Sequence, residues 1–146
     1  MKYLDAVFSG LLFLSATGFA DTAISQPVKE RTMIIMQISG EQFKIVLNEN
    51  AAAEAFAKSL PLRMDMTELN GNEKFADLPH SLPSSPLRPG RLHAGDLMLY
   101  GDKTVVLFYE TFVSNYLYTP LGKVQHPDSL PDLKGVERLD VLFTGR

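Results

Sequence analysis

The chain has 146 residues and a net charge of −3, with 45% hydrophobic and 21% charged residues. These values predict one globular domain with a substantial core, and the mild acidic balance gives no electrostatic reason to expect nucleic acid as a partner. Because the sequence contains no cysteine, disulfides, a thiol nucleophile and a cysteine-based metal site are excluded.

Residues 1–20 have the pattern of a secretory signal peptide. Lys2 supplies a positive charge, residues 6–20 carry no charge, and small residues occupy the third and first positions before a cut at Asp21. We therefore expect an exported mature chain, periplasmic or secreted, that leaves the membrane after cleavage. The alternatives are an uncleaved anchor or a buried N-terminal helix, although a spanning helix needs about 20 apolar residues.

A short lead-in and a β-hairpin are predicted next. Residues 21–31 are polar and lack periodicity, so we expect a flexible lead-in before a barrel domain over residues 32–146. Apolar residues alternate in 32–38 and again in 42–47, on either side of Ser39-Gly40. This period of two around a glycine turn predicts two paired strands.

The period changes to that of a helix over residues 50–60. Asn50 is a good N-cap residue, Glu54 and Lys58 have the spacing of a favourable helical pair, and Pro61 ends the helix. Alternation then returns in a strand at 62–67.

The rest of the chain is predicted to be mostly β-structure after one long loop. Residues 68–95 show little periodicity and include four prolines, which is typical of a functional or disordered loop. The later elements follow in chain order: a hairpin of strands 96–100 and 104–110, a short strand at 112–118, a helical turn at 128–134 and a last strand at 139–143. Many strands with few helices suit a closed barrel with helices over its ends.

Two stretches of sequence carry a resemblance to a known family. Residues 68–79 read Glu-Leu-Asn-Gly-Asn-Glu-Lys-Phe-Ala-Asp-Leu-Pro, and residues 94–109 read Ala-Gly-Asp-Leu-Met-Leu-Tyr-Gly-Asp-Lys-Thr-Val-Val-Leu-Phe-Tyr. Together with residues 60–62 and 121–124, they resemble the bacterial cyclophilin-like domain family over about residues 32–143. The resemblance implies a mainly β fold, a closed eight-stranded cyclophilin-like barrel with two short helices.

The sequence departs from the prolyl isomerases that give this fold its name. It lacks both their Phe-His-Arg motif and their Gln-Gly-Gly-Asp run. Arg63, on the predicted strand after the helix, stands where the resemblance would put the isomerase arginine, and it is the one tentative catalytic residue. The alternative is a surface arginine paired with Asp65 or Glu68.

Polar and aromatic residues in and after the long loop form a candidate binding site. The candidate binding residues are Asn70, Asn72, Glu73, Phe75, Tyr100, Phe112 and Tyr116. Asn70-Gly71-Asn72 also favours a tight turn, Glu73 and Lys74 are expected to pair locally, and aromatic residues at alternate strand positions are common in cores. A structural turn and core packing therefore remain alternatives to a pocket.

No metal or cofactor is expected, because the three histidines lack metal-ligand spacing and no nucleotide motif is present. We consider three functions: a non-catalytic module that binds a peptide or small ligand, a diverged prolyl isomerase that uses Arg63, and an enzyme of another class. The missing isomerase motifs favour the first, and no residue pattern supports the third.

Overall fold

The computed structural model describes residues 29–146, together with residues 15, 17, 18, 20 and 25–27. Most of the predicted signal peptide and Asp21 lie outside the described residues. Among the described residues, none of the helices has both the length and the apolar character that a membrane crossing requires.

Eight antiparallel strands close into a barrel, in the order β1-β10-β3-β4-β7-β6-β9-β2. The barrel strands are β1 (Met33–Ile38), β2 (Glu41–Leu47), β3 (Leu62–Leu69), β4 (Glu73–Asp77), β6 (Asp96–Tyr100), β7 (Thr104–Phe108), β9 (Thr119–Val124) and β10 (Arg138–Gly145). Two further short strands, β5 (Arg91–Leu92) and β8 (Phe112–Val113), pair with each other as a small separate sheet. The predicted mainly β, eight-stranded barrel is therefore confirmed.

The alternating apolar residues predicted from the sequence line the inside of the barrel. Inward-facing residues of seven of the eight barrel strands form one buried cluster, which for β1 comprises Ile34, Met36 and Ile38. The helix α1 (Ala51–Lys58) packs onto this core through Phe56, whose ring meets that of Phe143 at 5.4 Å between centroids. Asn50 caps the helix as predicted, since its side-chain oxygen accepts a hydrogen bond from the Ala53 amide.

The prediction of two short helices needs one correction. Among the described residues α1 is the only α-helix, and the predicted helical turn at 128–134 is a 3₁₀ helix of three residues, Pro127–Ser129. Pro131 follows this segment closely, and it cannot supply the amide hydrogen that a longer helix needs.

The predicted long loop at 68–95 is also shorter than expected. Strand β3 continues to Leu69, a tight turn follows, and β4 occupies Glu73–Asp77. Asn70 and Gly71 both have positive φ, at 57° and 69°, a conformation that asparagine and glycine tolerate in tight turns. The sequence concealed β4 because Glu73 and Lys74 are charged yet buried, so the strand lacks an apolar pattern.

Strand β9 was concealed by Pro120 and Gly122, which normally interrupt strands. Gly122 is required by a close approach to β2: a Cβ atom there would lie 2.7 Å from the Val46 carbonyl oxygen and 2.9 Å from Ile45 Cγ2. The predicted strand at 112–118 is correspondingly reduced to β8, and β7 ends two residues earlier than predicted.

Candidate functional site

A second hydrophobic cluster lies on the outer wall of the barrel, where β4, β6 and β7 meet the small β5-β8 sheet. We call it the outer aromatic cluster; its members are Leu92, Met98, Val106, Phe108 and Tyr118, with Phe75 and Phe112 packed against them. The Phe108 ring makes contacts at 5.5 Å between centroids with both Phe112 and Tyr118. A barrel wall that merely faces water has no need of such a cluster.

Three tyrosines connect this cluster to the solvent-exposed surface. The Tyr100 ring lies 6.2 Å from that of Tyr116 and 5.8 Å from that of Tyr118. Tyr118 is buried, whereas Tyr100 and Tyr116 are 48% and 65% exposed. We call these three residues the tyrosine surface. Exposed Leu87 lies beside it, since its backbone pairs with that of Tyr118.

Glu73 is a nearly buried carboxyl group within this outer wall. Lys74 faces the barrel interior, so Glu73 and Phe75 face outward, and Glu73 is paired in register with Phe108 of the outer cluster. Only 7% of Glu73 is exposed. Burial, and secondarily the Glu68 carboxylate, raise the pKa of Glu73 from 4.5 to about 6. A carboxyl group is therefore held at the base of an aromatic surface.

Several polar groups influence the pKa of the Tyr118 hydroxyl group. Burial raises the pKa of Tyr118, and the Glu73 carboxylate and the hydroxyl groups of Tyr100 and Tyr116 add to the increase. A hydrogen bond with the Ser114 side chain opposes it. The outer wall thus combines apolar rings with a small set of polar groups, as ligand-binding surfaces commonly do.

A different polar cluster occupies one end of the barrel interior. Lys74 is fully buried, and its Nζ donates hydrogen bonds to the carbonyl oxygens of Leu133, at 2.7 Å, and Val136. The same Nζ lies 3.4 Å from Glu68 Oε1 and 4.9 Å from the centre of the Tyr109 ring. The expected local pair of Glu73 and Lys74 does not form, because adjacent strand residues point to opposite faces.

Tyr109 and Glu68 complete this interior cluster. The Tyr109 hydroxyl donates a hydrogen bond to Glu68 Oε1. Burial and this hydrogen bond raise the pKa of Tyr109. Lys74 anchors the segment that runs over the barrel end to the strands below it, and Glu68 and Tyr109 hold Lys74 in place, so the cluster has a structural role.

The structure separates the predicted binding residues into two groups. Glu73, Phe75 and Phe112 belong to the outer wall, together with Tyr100 and Tyr116. Asn70 and Asn72 lie in the turn between β3 and β4, and the Asn72 carbonyl accepts a hydrogen bond from the Tyr109 amide. Their binding roles remain predictions. Tyr118 and Ser114 are not among these seven residues, and the structure adds them to the outer wall.

Arg63 lies on the outward face of β3, as its sequence position indicated. Its guanidinium group pairs with Asp140 of β10, and Asp65 pairs with Arg138, so the predicted pairing of Arg63 with Asp65 or Glu68 is wrong. The register of β3 sets Thr67 opposite Phe75. Arg63 is four residues further along β3, and therefore roughly 13 Å from the edge of the outer aromatic cluster.

A separate cleft of about 610 Å³ lies between residues 29–32 and the start of α1. Charged and amide side chains line much of it, and Lys29 and Glu49 already pair across 3.6 Å. In the part of the chain that the structure describes, no three His, Asp or Glu side chains come together as a metal site requires. The outer wall is the stronger candidate site because rings and a buried carboxyl group meet there.

The fold and site define a class: a closed antiparallel barrel that presents an aromatic, partly polar outer wall. The model of the cyclophilin-like family matches residues 36–141, and the chain belongs to that family. The solved structure of the hypothetical protein AF2241 from Archaeoglobus fulgidus is similar, with a TM-score of 0.52 and 16% identity over 80% of this chain and 95% of that one. At this identity the likeness concerns the fold alone. No curated protein matches the chain.

Proposed function

We propose that this protein is an exported, non-catalytic binding module that holds a peptide or small ligand on the tyrosine surface. The observation that carries the proposal is the contact of the Tyr100 ring with those of both Tyr116 and Tyr118. Two of these three tyrosines are substantially exposed, on the wall that also holds the buried carboxyl group of Glu73. Tyrosine is suited to this role because its ring contributes apolar contact and its hydroxyl group hydrogen-bonds.

A neutral peptide tests for binding at this surface. The probe is the acetylated and amidated pentapeptide Ser-Phe-Nle-Phe-Ser, where Nle is norleucine, titrated into isotopically labelled protein and followed by NMR. We expect saturable shifts at the amides of Tyr100, Ser114 and Tyr116. Tyr116→Ala should weaken binding by about tenfold, as loss of a well-packed aromatic contact does.

The control for this titration lies across the barrel. Ile35 faces outward on β1, diametrically opposite β7 in the strand order, so Ile35→Ala should leave the affinity unchanged. Shifts spread evenly over the barrel, or equal losses in the two variants, would refute binding at the tyrosine surface.

Absence of catalysis and export have separate tests. In a protease-coupled prolyl isomerisation assay, the mature chain and its Arg63→Ala variant should both match the uncatalysed rate, and acceleration lost in the variant would restore the isomerase hypothesis. Mass spectrometry of the protein recovered outside the cytoplasm of an expressing bacterium should give a chain that starts at Asp21. An uncleaved N-terminus would contradict the export proposal.

A further inference from the structure

Glu73 is only 7% exposed, and its environment is unusual for such a deeply buried carboxyl group. Buried charges are normally paired with an opposite charge or a hydrogen-bond donor. Both influences identified on the pKa of Glu73, its burial and the Glu68 carboxylate, raise it. Among the described residues, the ion pairs of the structure all involve other acids.

The carboxyl oxygens of Glu73 nevertheless remain accessible from outside. Within the described chain, the enclosed side-chain oxygens that lack a hydrogen-bond partner are Glu68 Oε2 and Asn72 Oδ1. Among the described residues, no side-chain hydrogen bond reaches the Glu73 carboxyl group, yet its oxygens are not among these enclosed atoms, so they keep a narrow contact with solvent. A group of small cross-section can therefore approach this carboxylate through the outer wall.

The surroundings of Glu73 favour a cation carried on an apolar stem. The rings of Phe108, Tyr118 and Tyr100 lie in sequence along the wall at centroid separations of 5.5 Å and 5.8 Å. Aromatic faces attract ammonium groups and pack against alkyl chains. An ammonium group is compact and sits on a flexible four-carbon stem in lysine, whereas the guanidinium group of arginine is broad and planar.

We propose that the tyrosine surface binds the lysine side chain of a peptide segment, with the Glu73 carboxylate accepting a hydrogen bond from the ammonium group and the exposed rings of Tyr100 and Tyr116 contacting the alkyl stem. This inference rests on the proposed binding function and names its ligand class. A peptide is the occupant because the apolar surface extends past the carboxylate to exposed Tyr116 and Leu87, further than a single amine reaches.

The test compares two peptides that differ only in charge. The probes are acetylated and amidated Ser-Phe-Lys-Phe-Ser and its norleucine counterpart, titrated at about pH 7.5 and low salt. We expect the lysine peptide to bind about tenfold more tightly, the effect of one charge-assisted hydrogen bond. Glu73→Gln should abolish this preference, so that the variant binds the two peptides equally, and the exposed Glu41→Gln should leave the preference intact.

The possible results separate this inference from the proposal beneath it. Equal binding of both peptides, lost in Tyr116→Ala, would overturn the lysine inference and leave the binding function standing. Binding of neither peptide would overturn both. A preference for the arginine analogue over lysine, or equal binding of n-butylamine alone, would refute the assignment of a peptide lysine. Circular dichroism establishes that each variant is folded.

Discussion

Lys74 provides the sharpest test of what holds the barrel end together, through the substitution Lys74→Met. Methionine keeps the length and apolar stem of the side chain but removes the charge and every hydrogen bond of Nζ. The Leu133 and Val136 carbonyls would lose their donor, and Glu68 would lose its cation. The damage is thus confined to polar interactions, and cavity formation contributes little.

The magnitude follows from the burial of the partners. Lys74 is 0% exposed and the Glu68 side chain 14% exposed. Removing the lysine charge therefore leaves a largely buried carboxylate without its cation. Breaking a buried ion pair from one side costs about 3–5 kcal/mol, and each buried carbonyl left without a donor costs about 1 kcal/mol or more. Water that enters at the barrel end offsets part of this, so we expect a loss of about 3–5 kcal/mol.

Urea unfolding followed by circular dichroism measures this loss. The matched control is Lys58→Met, which breaks the exposed Glu54–Lys58 pair at 3.1 Å and should cost about 0.5 kcal/mol or less. The double variant Lys74→Met/Glu68→Gln should lose about 1–3 kcal/mol less stability than the sum of the two single losses, because the two residues interact directly. A Lys74→Met loss no larger than that of Lys58→Met, or strictly additive effects, would refute the assigned role.

Two further predictions concern Glu73 and Gly122. The pKa of Glu73 is raised to about 6 from 4.5, so the folded protein holds this proton more tightly than the unfolded chain does. The free energy of unfolding should therefore fall by about 2 kcal/mol as pH rises through this interval. In urea unfolding between about pH 4.5 and 8, Glu73→Gln should remove this pH dependence of stability, whereas Glu41→Gln should keep it. An unchanged pH profile in Glu73→Gln would contradict the raised pKa. For Gly122→Ala, the Cβ contact of 2.7 Å with the Val46 carbonyl should cost about 1–3 kcal/mol and lower the thermal midpoint. Gly145→Ala, which meets open space, should stay within about 0.5 kcal/mol, and equal midpoints in the two variants would show that the close approach is relieved at no cost.

The barrel itself was largely readable from the sequence, because most strands obey a local rule. Ile34, Met36 and Ile38 alternate with less buried neighbours, and a period of two requires no knowledge of the rest of the fold. The start of α1 was equally predictable from local sequence, since the Asn50 side chain accepts a hydrogen bond from an amide three residues away. Such features depend on neighbours in the chain, so the chain encodes them directly.

The candidate site was only partly readable. Five of its residues were chosen from the sequence for their chemistry, but nothing local shows that Tyr100 and Tyr116 meet across the barrel wall. The burial of Glu73 depends on partners such as Phe108 and Tyr118, which lie 35 and 45 positions away in the sequence. The charge of a residue is local, whereas its desolvation is not.

Composition, the strand period, the helix cap and the Asn-Gly turn were determined by the sequence alone, because each rests on interactions within a few residues. Closure of the barrel, the burial of Lys74 and the exposure of the tyrosine surface were decided by the tertiary structure. In a β-strand, adjacent side chains point to opposite faces, so Glu73 faces the outer aromatic cluster and Lys74 the interior. Only the pairing of distant strands assigns these two adjacent charges to such different environments.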